Sequence, residues 1–248
     1  MAPSFLDTAA QGMGNNSLAD RMPIQDKKDA KIPMVLLVDT SGSMEGDGID
    51  GVNQGIENYT QEVLKNENLS RMVEIAIVSF NNNVEIIHPF SSIKDFTPTQ
   101  LTADGLTVMG NGILTAIDLV YSRKEKYKAE GVDYFRPWIF MITDGAATDM
   151  GFADSEESQN VELLNQVISA VHDGEDGKHF EFYPVAVGNA VDMKQLKAIA
   201  SHYPPVHLKR NKWNEMFSWI HESQVMKSKS KPGDTTKHVD MNPWVETH

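Results

Sequence analysis

Apolar residues recur along the chain in two alternating rhythms. Short unbroken runs rich in β-branched side chains, such as MVLLVD at 34–39 and VEIAIVSF at 73–80, suit strands buried on both faces. Between them lie stretches of helical period. Ile49, Val52, Ile56, Tyr59 and Val63 fall at steps of three and four, so they form one apolar stripe on a helix over 49–65. VEIIHPF at 84–90 follows the second run after only NNN, a hairpin-length turn, and is predicted as an antiparallel edge strand. A helix over 110–129 carries Ile113, Ile117, Val120 and Tyr121 and stops near Gly131. PWIFMITDG at 137–145 is the next strand. The pattern continues as helix 157–172, strand 180–187, helix 192–200, strand 206–209 and a last helix over 213–226, with Trp213, Met216, Phe217 and Ile220 on one stripe. Six strands alternating with about six helices predict a doubly wound α/β fold whose sheet is mostly parallel, with one antiparallel edge strand and helices on both faces.

The two ends break this rhythm. Residues 1–30 are rich in Asn, Gly, Asp and Ala without a sustained period, and 227–248 are polar with two prolines. Both read as flexible arms on a single domain spanning 31–226. Within them, LADRMPI at 18–24 is the part best able to pack back, and DMNPWVETH is a stretch suited to docking although the tail as a whole reads as disordered.

Composition narrows the classes. No apolar run approaches the roughly 18 residues of a membrane span, and the opening MAPSFLDTAAQGMG lacks the basic and apolar regions of a secretory signal, so a cytoplasmic location is expected. The chain has no cysteine, so any metal must be held by oxygen or imidazole. Twenty-two basic against 35 acidic residues give a net charge of −13, which disfavours nucleic acid and anionic membrane as partners. The one modest basic run, KSKSK at 227–231, reads as solvated.

Candidate chemistry sits at strand ends. In a doubly wound sheet ligands bind outside the carboxyl ends of the strands, and the 34–39 and 137–145 strands both finish in a carboxylate, Asp39 and Asp144. Asp39, Ser41 and Ser43 alternate along DTSGSM, so in an extended turn they point the same way, with Gly42 easing the bend. If the two strands are neighbours, these groups form a set of hard oxygen donors suited to Mg²⁺ or Mn²⁺. The plainer alternative is that Asp39 and Ser41 only satisfy backbone amides at a helix start, and that Asp144-Gly145 is a turn. Glu45, Asp47 and Asp50 read as an acidic first helical turn, since they miss the spacing of a calcium loop.

Catalytic readings fit poorly. A phosphatase with an aspartyl nucleophile would have a second Asp where Ser41 stands, and a serine-hydrolase elbow would have glycines where Asp39 and Ser43 flank Ser41. His88, His172, His179, His202, His207 and His221 are scattered without metal-ligand spacing.

Asp39-x-Ser41-x-Ser43, then Thr107 in DGLTVMGNGI, then Asp144 in MITDGAATD resembles the metal-ion-dependent adhesion site of von Willebrand factor type A domains, which are Rossmann-like. Within that superfamily the chain looks like the TerY-like group of cytoplasmic bacterial proteins associated with tellurite resistance, over about 32–226. The resemblance implies that Ser41, Ser43 and Thr107 give hydroxyl oxygens and that Asp39 and Asp144 hold the ion directly or through water. It also implies that an Asp or Glu of a partner protein completes the coordination. Kinase-like and phosphatase-like proteins encoded nearby are the partners suggested, in stress-response or phage-defence systems. Leu106 departs from the small residue or Thr common before the ligand Thr. The expectation is a non-catalytic, metal-dependent interaction module, monomeric or transiently assembled. The alternatives are a metal-dependent hydrolase or phosphatase using the same ion and a structural subunit whose metal site is vestigial.

Overall fold

The computed structural model describes residues 22–152, 160–234 and 239–246. Six strands and six α-helices are found among them: β1 Ile32–Asp39, α1 Asp47–Lys65, α2 Glu67–Met72, β2 Val73–Phe80, β3 Val84–Ser92, α3 Met109–Glu130, β4 Trp138–Thr143, α4 Val161–Asp176, β5 Glu181–Ala186, α5 Met193–Ile199, β6 Val206–His207 and α6 Trp213–Lys227. The strands form one sheet in the order β3-β2-β1-β4-β5-β6. All neighbours are parallel except β3, which pairs antiparallel with β2 at the edge as the NNN turn predicts.

Alternation along the central strands sorts the core into two layers, because successive side chains point to opposite faces. Met34, Leu36 and Val38 of β1 face Ile56 and Tyr59 of α1 and Phe217 and Trp219 of α6. Val35 and Leu37 face Ile113, Ile117 and Val120 of α3 and Leu164 and Val167 of α4. α1 and α6 lie unusually close. A Cβ on Gly51 or Gly55 would overlap the rings of Trp213 and Phe217, so bare backbone at those two positions is what lets the last helix seat.

Three features differ from the sequence expectation or add to it. The short α2 was not anticipated; Asn66 caps it by accepting a hydrogen bond from the Leu69 amide at 3.1 Å. Residues 22–24, the described part of 18–24, dock on the domain: Ile24 is buried with Tyr127 and Val132, and the Met22 carbonyl accepts from Arg123 and Lys126. The third corrects the reading of 227–248 as a flexible tail. Residues 239–246 are packed: Trp244 is 1% exposed and lies edge-on to Trp219 with centroids 5.6 Å apart. The Lys209 amide donates to the Trp244 carbonyl and the Glu246 amide to His207, so Val245 pairs antiparallel with Leu208 beside β6. Burial of two indoles outweighs the local polarity that made this stretch read as disordered.

On α3, Lys124 is only 5% exposed and its ammonium contacts His179 Nδ1 at 2.9 Å and the His179 carbonyl at 3.2 Å. Burial holds its pKa down to about 8. Between about pH 8 and the ordinary lysine value the folded state has released a proton that the unfolded chain still binds, so this group adds stability as pH rises through that window. The unfolding free energy from urea titration should rise between pH 7.5 and 9.5 by on the order of 1–2 kcal/mol more in the wild type than in Lys124→Met. Equal pH slopes in the two proteins would show that the amine is not held neutral.

Candidate metal centre

The strand order reverses between β1 and β4, and the loops leaving these two strands diverge into a crevice. Asp39 closes β1 and Asp144 follows directly after β4. From Asp39 the chain makes an extended turn, with Ser41 at φ −68 and ψ 164, and then a single 3₁₀ turn over Gly42–Met44 before α1 begins at Asp47. Asp47 and Asp50 occupy the first turn of α1 as predicted. Gly42 does not need glycine's special backbone freedom. Its amide donates to the Gly105 carbonyl at 3.0 Å, which ties the Ser41–Ser43 turn to the loop carrying Thr107.

All five predicted oxygen donors come together. Ser43 Oγ donates to Asp144 Oδ1 at 2.6 Å and lies 3.1 Å from Ser41 Oγ. A Cβ placed on Gly145 would sit 3.4 Å from Thr107 Oγ1, 3.6 Å from Ser43 Oγ and 3.9 Å from Asp39 Oδ2, so these three oxygens surround one point. Asp39, Ser41 and Thr107 form a buried floor, whereas Ser43 is exposed and Asp144 half-buried on the rim. The arrangement is closed below and open above.

The plainer reading of Asp39 is partly right. Its Oδ1 accepts from the Ser41 amide at 2.9 Å, the turn-stabilising role expected of an aspartate. Its Oδ2 accepts from Thr143 Oγ1 at 2.6 Å, a partner that sequence reasoning missed because it belongs to a different strand. Leu106 does not spoil the loop. Its amide donates to Asn82 Oδ1 at 3.0 Å and its side chain is 58% exposed, so the bulk points away while Thr107 is buried.

The electrostatics are unusual for an aspartate pair. Burial pushes the Asp39 carboxyl above its ordinary value; the bonds from Thr143 and Ser41 work against that, and the nearby Asp144 charge adds to it. Burial also raises Asp144, opposed by Ser43. Among the described residues no Lys, Arg or His lies within ion-pair distance of either carboxylate. An anionic pair held out of water without a cation is costly, and the natural remedy is a positive ion on its open side. Two carboxylates and three hydroxyls are hard donors of the type Mg²⁺ and Mn²⁺ prefer. Among the described residues no three His, Asp or Glu side chains converge as a metal site, so hydroxyls must supply the rest of any coordination sphere.

Four of the six histidines that the sequence shows as scattered have partners away from this crevice: His88 packs against Phe96, His179 against Lys124 and Tyr121, His202 on Asp176 and His207 on the Gly188 carbonyl.

A doubly wound sheet with an oxygen-lined crevice at its switch point defines the class of protein, and comparison supplies the family. The model of the von Willebrand factor type A domain matches residues 34–216, well over half of the chain, and the protein belongs to that family. Among solved structures it is similar to a von Willebrand factor type A protein from Catenulispora acidiphila, at 15% identity and a TM-score of 0.56 over 79% of this chain and 43% of that one. The pilus adhesin SpaC from Lactobacillus rhamnosus GG matches at 13% identity and 0.62, over 82% of this chain and 31% of that one. The domain of the pili tip protein Mfa5 from Porphyromonas gingivalis matches at 12% and 0.56, over 84% and 99%. The chain thus spans less than half the length of the first two proteins. At these identities the likeness establishes the fold. No curated protein matches the sequence. Among the described residues no helix is long and apolar enough to cross a membrane.

Proposed function

We propose that this protein is a non-catalytic binding module that holds a divalent ion, Mg²⁺ or Mn²⁺, at Asp39, Ser41, Ser43, Thr107 and Asp144 and uses it to grip an Asp or Glu of another protein. The observation that carries this reading is the uncompensated pair of buried Asp39 on the floor and half-buried Asp144 on the rim, with the hydroxyls of Ser41, Ser43 and Thr107 gathered around them. With only two carboxylates around it, a divalent ion would have no excess of negative charge to shed and could still attract a partner carboxylate. Adhesive proteins among the structural neighbours accord with such a role. The TerY-like resemblance extends the proposal to a cytoplasmic stress-response or phage-defence setting, with a kinase-like or phosphatase-like protein as partner. Catalysis has less support, since among the described residues no His or Lys hydrogen-bonds the crevice hydroxyls to act as a base.

Calorimetric titration of EDTA-treated protein with Mg²⁺ and Mn²⁺ tests the site. One saturable site is expected, weakened at least tenfold in Thr107→Ala. Binding that ignores this substitution would sink the ligand set, and metal-dependent hydrolysis of a phosphomonoester by the wild type would sink the non-catalytic reading.

A further inference from the structure

Thr107 reaches the crevice from a loop with no regular structure of its own, and what fixes that loop comes from a different part of the chain. The Thr107 amide donates to Thr148 Oγ1 at 3.2 Å, and the Thr148 amide returns a bond to the Thr107 carbonyl at 2.8 Å. Immediately after it, α3 starts without a cap of its own, because Val108 stands at the capping position and has no side-chain acceptor. Asp149 supplies the cap from a distance: its Oδ1 accepts from the Gly110 amide at 3.1 Å and its Oδ2 from the Asn111 amide at 3.0 Å. The segment 147–150 is itself bracketed by one buried amide. Gln195 of α5, 3% exposed, accepts from the Ala147 amide at 3.3 Å and donates to the Met150 carbonyl at 3.1 Å. The same short segment continues from Asp144 and Gly145, so it joins the two halves of the crevice.

We infer that Thr148, backed by Gln195, is a positioning residue of the metal centre: it sets where Thr107 stands relative to Asp39, Ser43 and Asp144 without touching the ion. The inference rests on the proposed metal reading. Asp, Gln or Thr in such a place would pass as ordinary polar residues; here each bond spans at least 38 positions of sequence, so a shift of 147–150 moves a ligand-bearing loop directly. Partners of metal ligands at one remove commonly change metal affinity 10- to 100-fold when lost. Thr148→Val keeps the shape and removes the acceptor, leaving the Thr107 amide without its bond.

The test is Mg²⁺ titration by calorimetry, with melting in EDTA alongside, on the wild type, Thr148→Val, Thr148→Ser, Asp39→Ala and Tyr127→Phe. The last removes a buried hydroxyl that bonds Glu74 at the opposite end of the sheet, and so controls for a general loss of stability. Thr148→Val should bind Mg²⁺ about tenfold more weakly, Thr148→Ser within about twofold of wild type, and Tyr127→Phe as wild type whatever its melting temperature. Unchanged affinity in Thr148→Val beside lost affinity in Asp39→Ala would overturn the positioning role and leave the metal site standing. Equal weakening in Tyr127→Phe would also overturn it, by showing that affinity merely follows stability. Asp39→Ala binding like wild type would remove the metal reading and this inference together.

Discussion

In EDTA the Asp39→Asn protein is expected to melt above the wild type, and in excess Mg²⁺ the order should reverse. Asp39 is fully buried and its pKa is raised, so at neutral pH the ion-free fold carries an ionised group that the unfolded chain holds at no such cost. Asparagine keeps an acceptor for the Ser41 amide and an amide group to meet Thr143 Oγ1, and it removes the charge beside Asp144. A gain of on the order of 1 kcal/mol follows. With Mg²⁺ at 100 times its Kd the wild type gains about 2.7 kcal/mol by mass action, whereas a site without the Asp39 charge gains little. For a domain of this size that is a rise of about 5–10 °C for the wild type and a nearly flat response for the variant. If Asp39→Asn melted lower than wild type in EDTA, the carboxylate would be serving the turn alone.

The second large effect concerns stability rather than the ion. Trp244→Ala should cost about 3–5 kcal/mol, the usual range for emptying a buried indole site, and lower the melting temperature by about 10 °C. Trp244 packs on Trp219, and Trp219 Nε1 donates to the Val239 carbonyl at 2.7 Å, so the segment and α6 hold each other in both directions. Tyr183, Val206 and Met241 line the small apolar recess beneath it. Trp244→Phe should restore more than half of the loss. A Trp244→Ala protein within about 1 kcal/mol of wild type would mean that 239–246 rests on the domain without supporting it.

Strands and all helices but α2 follow from periodicity, which a chain displays locally, whereas the adjacency of β1 and β4 stayed a condition until the sheet order met it. Asp39 and Asp144 were legible for the same reason, since each ends an apolar run, and Ser41 and Ser43 by their alternation with Asp39. Thr107 was placed by resemblance to the family, because DGLTVMG has no pattern of its own. What escaped the sequence reading was every group whose purpose lies across the fold. Thr143, Thr148, Asp149 and Gln195 are common polar residues whose bonds span tens of positions. Segment 239–246 escaped for a related reason: a tryptophan in polar surroundings declares no partner until Trp219 is in place. Gly51 and Gly55 look like weak points of a helix and are where another helix seats.

The match to the family model ends at residue 216, inside α6, while the packed fold runs on to 246. The portable unit is therefore longer than the family's shared core. Excised at 216, the domain would leave the Gly55 groove without Phe217 and the outer edge of β6 without Val245. An unpaired strand edge is a template for other chains, so such a fragment should self-associate more than the longer one. By the same reasoning, a protein fused directly behind α6 would compete with 239–246 for that edge, whereas one attached after it would leave the β6 edge covered.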